Sequence, residues 1–207
     1  MKKGDIKEFS PGGKMLLILL CIVINLAGRL LAGKLQLPLW LDTIGTSMAV
    51  CLVGIGGALF VGIFSGVPLF LANVPCEVYF LIGIFLPIFQ KIYMHLAMPD
   101  KVFKVLKLGF FSGLLAVFTT VPVYLFLDGG RSTHFWGDAL FCMLEWHGAP
   151  PVLCSVAGAL LVEIVDKQVS LLIAFGLIAL INRMRRNGAS VAGKQATVLA
   201  LCLFVNS

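Results

Sequence analysis

Charge is what this sequence has least of. Only 13% of its 207 residues are Asp, Glu, Lys or Arg, against roughly 25% in a typical soluble domain. With 59% hydrophobic residues and a mean hydropathy of +1.01, that scarcity excludes an ordinary soluble protein. It also excludes intrinsic disorder, which needs low hydrophobicity and high charge. Alternation of apolar and polar residues is missing too, which excludes an outer-membrane β-barrel. No Cys-x-x-Cys occurs, and the six cysteines lie mostly in apolar runs. They read as small buried hydrophobes rather than as a disulfide framework or a metal site. His-Glu-x-x-His, Gly-x-Ser-x-Gly and the Gly-x4-Gly-Lys-Ser/Thr phosphate loop are absent. No residue is therefore assigned a catalytic role, no cofactor is expected in this chain, and ATP chemistry would have to sit on other subunits. Basic residues do not interleave with aromatics, so nucleic acid is not an expected partner despite a net charge of +6. What remains is an all-α, multi-pass protein of the cell (inner, cytoplasmic) membrane, with the bilayer as its first partner.

A bilayer core about 30 Å thick takes about 20 helical residues. A basic segment, residues 1–14, precedes the first apolar run, Met15 to Gly33; no small-x-small cleavage site follows, so the run reads as a retained helix. From Thr43 to Cys76 there is no charge. As one helix that stretch would be about 50 Å long, so Gly54, Gly56 and Gly57 are expected to turn it into two short spans, 42–54 and 57–72. Further spans are expected at 77–94 and 108–127, with a short helix at 135–146. The stretch 151–182 holds Glu163, Asp166 and Lys167, and is either one bent helix or two short ones.

Charge decides between them. With six spans and both termini in the cytoplasm, the inner side takes 12 of the 16 basic residues and three acids, and the outer side four basic residues and seven acids. Net charge is then +9 inside and −3 outside. Basic residues set orientation in helical membrane proteins, and splitting 151–182 would move Arg183, Arg185 and Arg186 to the wrong side. The expected organisation is a cytoplasmic segment 1–14, a six-span membrane domain 15–187, and a tail 188–207 that lies on the surface or begins a further span.

Polar residues in or beside spans are costly and carry function by default. Asn25 and Arg29 are four apart and share a helical face; they either bond a neighbouring helix and snorkel, or face a ligand. Asp42, two residues after Trp40, either caps the second span or faces a ligand or Arg29. Asn73 and Glu77 flank an outer turn, as solvated loop residues or as ligand contacts. His134, Trp136, Glu145, Trp146 and His147 crowd one outer segment, together with Asp138. Its tryptophans form either an interfacial belt or a lid that stacks a flat ligand. Glu163, Asp166 and Lys167 read as a structural polar group, with Glu163 and Lys167 an i,i+4 pair.

Taken in order, Leu37-Pro38-Leu39-Trp40-Leu41-Asp42-Thr43-Ile44-Gly45-Thr46, the glycine turn, Asp128-Gly129-Gly130 and Val165-Asp166-Lys167-Gln168-Val169-Ser170 resemble the substrate-binding S components of energy-coupling factor (ECF) transporters, over about residues 14–187. The resemblance implies a bacterial six-helix bundle that captures a vitamin or other micronutrient outside the cell. It implies a transmembrane T component and two ATPase subunits as partners, and a gating loop at 34–41. Family members often dock through small residues in the first helix, which here would be Gly28 and Ala32, a pair at the outer end rather than an Ala-x-x-x-Ala run. Similar modules could also serve as the ligand-sensing input of a longer signalling protein, of which this chain would be a truncated part.

Overall fold

A computed structural model describes the backbone of residues 10–71, 77–99, 101–132 and 134–205, with side chains at all of these except 69, 77, 78 and 185–205. The regular elements among the described residues are helices. They run as α1 (Pro11–Lys34), α2 (Ile44–Leu52), α3 (Ile55–Phe64), α4 (Val67–Leu71), α5 (Glu77–Leu96), α6 (Val102–Leu127), α7 (Phe135–Trp146) and α8 (Pro151–Val205). Met1–Ala174 forms one compact unit and Phe175–Ser207 a second.

Local sequence accounts for the helix ends. Ser10 caps α1 by accepting from the Gly13 N–H at 3.3 Å, and Pro11 supplies a preset first turn. Between α2 and α3 the chain reverses at Gly54, whose φ of +99° is open to glycine without steric cost. The turn expected within Gly54, Gly56 and Gly57 is thus made by the first of them. It leaves helices of nine and ten residues, about 14–15 Å each. Neither α2 nor α3 crosses a bilayer alone. Among the described residues, four helices are long and apolar enough to do so: α1, α5 over Tyr79–Leu96, α6, and α8 over Pro151–Met184. The 151–182 stretch is continuous helix, and α8 runs without a break past the 187/188 boundary drawn from sequence.

Within the first unit, α1 packs on α2 and α3, α2 and α3 pack on α5, and α5 packs on α6. Lipid is as apolar as leucine, so close van der Waals contact must hold such helices together. Glycine provides it. A Cβ on Gly62 of α3 or Gly83 of α5 would strike the other's main chain, and one on Gly109 or Gly113 of α6 would strike the main chain at Gln168 or Ile164. Beside that seam Val117, Val121 and Ala159 form an apolar core flanked by Leu125, Val156 and Leu160. Leu16, Leu30, Phe118 and Phe126 are exposed, as a lipid-facing surface requires.

Candidate small-molecule site

Polar chemistry gathers at the end of the bundle that carries the 35–43 and 128–134 loops. The 35–43 loop is short and bent through two left-handed residues, Gln36 (φ +53°) and Leu41 (φ +55°). For leucine that conformation costs about 1–3 kcal/mol and persists only where the surroundings enforce it. Here they do. The N–H groups of Trp40 and Leu41 both donate to Asp166 Oδ1, at 2.9 and 2.7 Å. Gly28 leaves room for the Leu41 carbonyl, which any Cβ at that position would strike. Asp166 thus ties the loop to α8, 125 residues further along.

Asp166 also belongs to a buried ionic cluster. Its Oδ2 accepts from Lys167 Nζ at 2.5 Å, and the same ammonium lies 3.2 Å from Glu163 Oε2 and 3.8 Å from Asp42 Oδ1. Lys167, Glu163 and Asp166 are 2% exposed or less. Charges so far from water persist only when paired, and three carboxylates converge on one ammonium. Arg29 comes in from α1, 4.0 Å from Asp42 Oδ2. Its guanidinium carbon sits 4.2 Å from the Tyr79 ring centre and 5.2 Å from that of Trp40, within cation–π range.

This cluster faces a cavity with about 760 Å³ of space free of atoms, part of it the open mouth. Glu163, Lys167, Asp42, Arg29 and Trp40 line it, and Tyr79, Tyr124, Thr43, Thr46, Ser65, Asp128 and Ser132 complete the polar and aromatic lining. A few convergent polar groups in a concave, partly aromatic wall are the usual make-up of a small-ligand site. Beneath it Asn25 acts as a tie between helices. Its amide donates to Thr46 Oγ1 (2.9 Å) and Ser65 Oγ (3.0 Å) and accepts from the Gly45 N–H (2.7 Å).

Beyond the 35–43 loop, α7 forms an outer cover. Asp138 Oδ1 accepts from the N–H and hydroxyl of Ser132 at 2.7 and 3.1 Å. Trp136 donates its indole N–H to the Gln36 carbonyl at 2.8 Å, and the His134 ring meets Trp40 edge to face, with centroids 4.6 Å apart. Burial pushes the His134 pKa below its ordinary value, which suits its Nδ1 accepting from the Trp136 N–H. A second hollow lies between α1 and the start of α7, bordered by Gln36, Leu39, His134 and Phe135. Arg29 and Trp40 border both spaces.

The structure redistributes several roles expected from sequence. Asp42 does not cap α2: the capping position is Thr43, without a side-chain bond, and the Asp42 carboxylate turns to Lys167 and Arg29 instead. Arg29 points into the bundle rather than snorkelling, because rings and a carboxylate receive it there. Glu163 and Lys167, read as structural, are cavity wall. Trp146 is 88% exposed, Glu145 pairs on the surface with Arg131 at 3.6 Å, and His147 bonds locally to the Met143 carbonyl. None of these three borders the cavity, and Trp136 holds the loop rather than lining the site. Gly28 and Ala32 are used within the chain, Gly28 against Leu41 and Ala32 buried at 3%. Asn73 and the Glu77 side chain lie outside the described residues. Tyr79 and Tyr124 were missed, because a tyrosine in an apolar run carries no sequence signal for the face it takes. Among the described residues no three His, Cys, Asp or Glu side chains are arranged as metal ligands.

The chain matches no protein-family model, no curated protein and no solved structure. The fold and the cavity define it as a helical membrane protein with a polar and aromatic hollow at one end.

Proposed function

We propose that this chain captures a small molecule at the outer face of the cell membrane and serves as the substrate-binding subunit of an ECF-type importer. The supporting observation is the cavity itself. Glu163, Lys167, Asp42 and Arg29 are held in a largely buried, aromatic-walled hollow, where charge is too costly to keep for packing alone. The resemblance carried by the 37–46 and 165–170 segments supports the transport assignment. Six crossings, with α2 and the α3–α4 pair as abbreviated ones, put the cavity outside and both termini in the cytoplasm, in keeping with the 12-to-4 division of basic residues. A vitamin or similar micronutrient would then be the cargo, and a T component with two ATPases would supply the energy.

The test is native mass spectrometry of the protein purified into lipid nanodiscs from rich medium, with uptake of the molecule found measured in cells with and without ECF-type ATPases. A captured small molecule whose uptake needs those ATPases is expected. Absence of any captured molecule sinks the capture reading. Capture without ATPase dependence leaves the second reading, a ligand-sensing input domain.

A further inference from the structure

The hydrogen-bond inventory of the cavity is lopsided. Lys167 has three N–H donors, and three carboxylates already surround them, those of Asp166, Glu163 and Asp42. Arg29 is taken up by Asp42 and by the faces of Tyr79 and Trp40. The cations of the site are therefore engaged. Hydrogen bonding is less complete: Lys167 donates to Asp166, whereas Asp42 Oδ1 and Glu163 Oε2 are ion-paired with the same ammonium without an aligned donor, and the Tyr79 hydroxyl has no hydrogen-bond partner. The Asp42 side chain is 10% exposed and that of Glu163 3%, and both residues border the cavity. A buried carboxylate oxygen without an aligned donor carries a desolvation cost that an incoming donor lowers further.

Charge points the same way. Among the charged residues of the lining, Asp42, Glu163 and Asp128 outnumber Arg29 and Lys167 by one. An anionic ligand would add to the surplus in a place where like charges are poorly screened. A cationic one would cancel it. Both oxygens lie within 3.8 Å of the same Lys167 nitrogen, so they belong to one polar corner of the cavity wall. The rings of Trp40, Tyr79 and Tyr124 offer walls for a flat body.

We propose, resting on the capture reading above, that the ligand is an organic cation: a small, flat molecule whose protonated nitrogen places N–H donors on Asp42 Oδ1 and Glu163 Oε2, with its ring against the aromatic wall. The site then rejects carboxylates of the same shape, since discrimination comes from groups left unpaired as much as from those satisfied.

Three isosteric probes test this with the intact chain in nanodiscs: benzamidine, benzamide and benzoate, followed at neutral pH by ligand-observed NMR. Benzamidine is expected to bind at least about tenfold more tightly than benzamide, with benzoate weakest, and Glu163→Gln and Asp42→Asn are each expected to erase most of that preference. The wild-type comparison stands even where a variant fails to fold. Equal or tighter binding of benzamide or benzoate overturns the proposal, as does binding of none of the three. The two readings fail separately. A captured native molecule without a basic nitrogen overturns the cation assignment and leaves capture intact. Benzamidine preference with no captured molecule leaves the cation subsite and removes the capture role.

Discussion

Two ion-pair systems lie at the same end of this protein and differ chiefly in their access to water. Arg131 and Glu145 meet at 3.6 Å with about half of each side chain exposed. Lys167 meets Asp166, Glu163 and Asp42 with 1% of its side chain exposed. The outer pair is screened by solvent and contributes about 0–1 kcal/mol. In the inner group each partner is the reason the others can stay charged, and through Asp166 the group also holds the strained 35–43 loop. The same residue types thus serve as surface decoration in one place and as the frame of a binding site in the other.

The largest effect is expected from breaking the inner group at its centre. Lys167→Met removes the ammonium and leaves three buried carboxylates facing one another. Removal of one partner from a buried pair costs about 3–5 kcal/mol, so thermal unfolding in detergent should fall steeply or the protein should fail to accumulate. An unchanged midpoint would mean that the group is wetter than its burial indicates.

Asp166→Asn is the next step down. The variant keeps one acceptor for the Trp40 and Leu41 amides but loses the charge that strengthens those bonds and holds Lys167. A loss of about 1–3 kcal/mol is expected. Hydrogen exchange should rise within residues 36–42 more than within α6, whereas a uniform rise would place the effect on global stability.

His134 separates the two regions by pH. Its folded pKa lies below the ordinary value because it is buried, so the unfolded chain takes up the proton first as pH falls. The stabilisation from neutral His134 is complete above about pH 6.5, and is lost as pH drops through that value toward the lower folded one. Exchange over residues 131–147 should increase in that window, and His134→Gln should flatten the dependence. A window-independent exchange rate would show that the histidine is free to charge in place.

The smallest effect is expected at the outer pair. Arg131→Ala and Glu145→Ala should each change stability by no more than about 0.5 kcal/mol, and probe binding should not change. A larger loss in either would mean that the α7 surface is covered by something that excludes water.

How far the site could be read in advance depends on the range of the interaction. Glu163 and Lys167 were recognisable as an i,i+4 pair because one helical turn fixes their proximity. Their partner Asp42 lies 125 residues away from Lys167, and no local pattern brings it there. The aromatic segment illustrates the opposite case: clustering in sequence left an interfacial belt and a stacking lid both open for Trp136 and Trp146, and α7 turns Trp146 to the outside and uses Trp136 to hold Gln36. The ring that does border the cavity is Trp40, in a loop whose path depends on a bond to Asp166.

Sequence alone determined the membrane setting, the helical class and most helix limits, since continuous apolar runs, proline, glycine and capping residues act within one or two turns. The reversal at Gly54 and the short helix at Phe135–Trp146 belong to that local order. Tertiary structure decided that Asp42 serves Lys167 instead of capping α2, that Arg29 turns inward onto Tyr79 and Trp40, and that a group with every sign of a structural ion pair forms the wall of a cavity. Helix faces meet through packing that short-range preferences do not encode, so which charges share a partner, and which oxygens are left for a ligand, is settled only when the whole bundle closes around them.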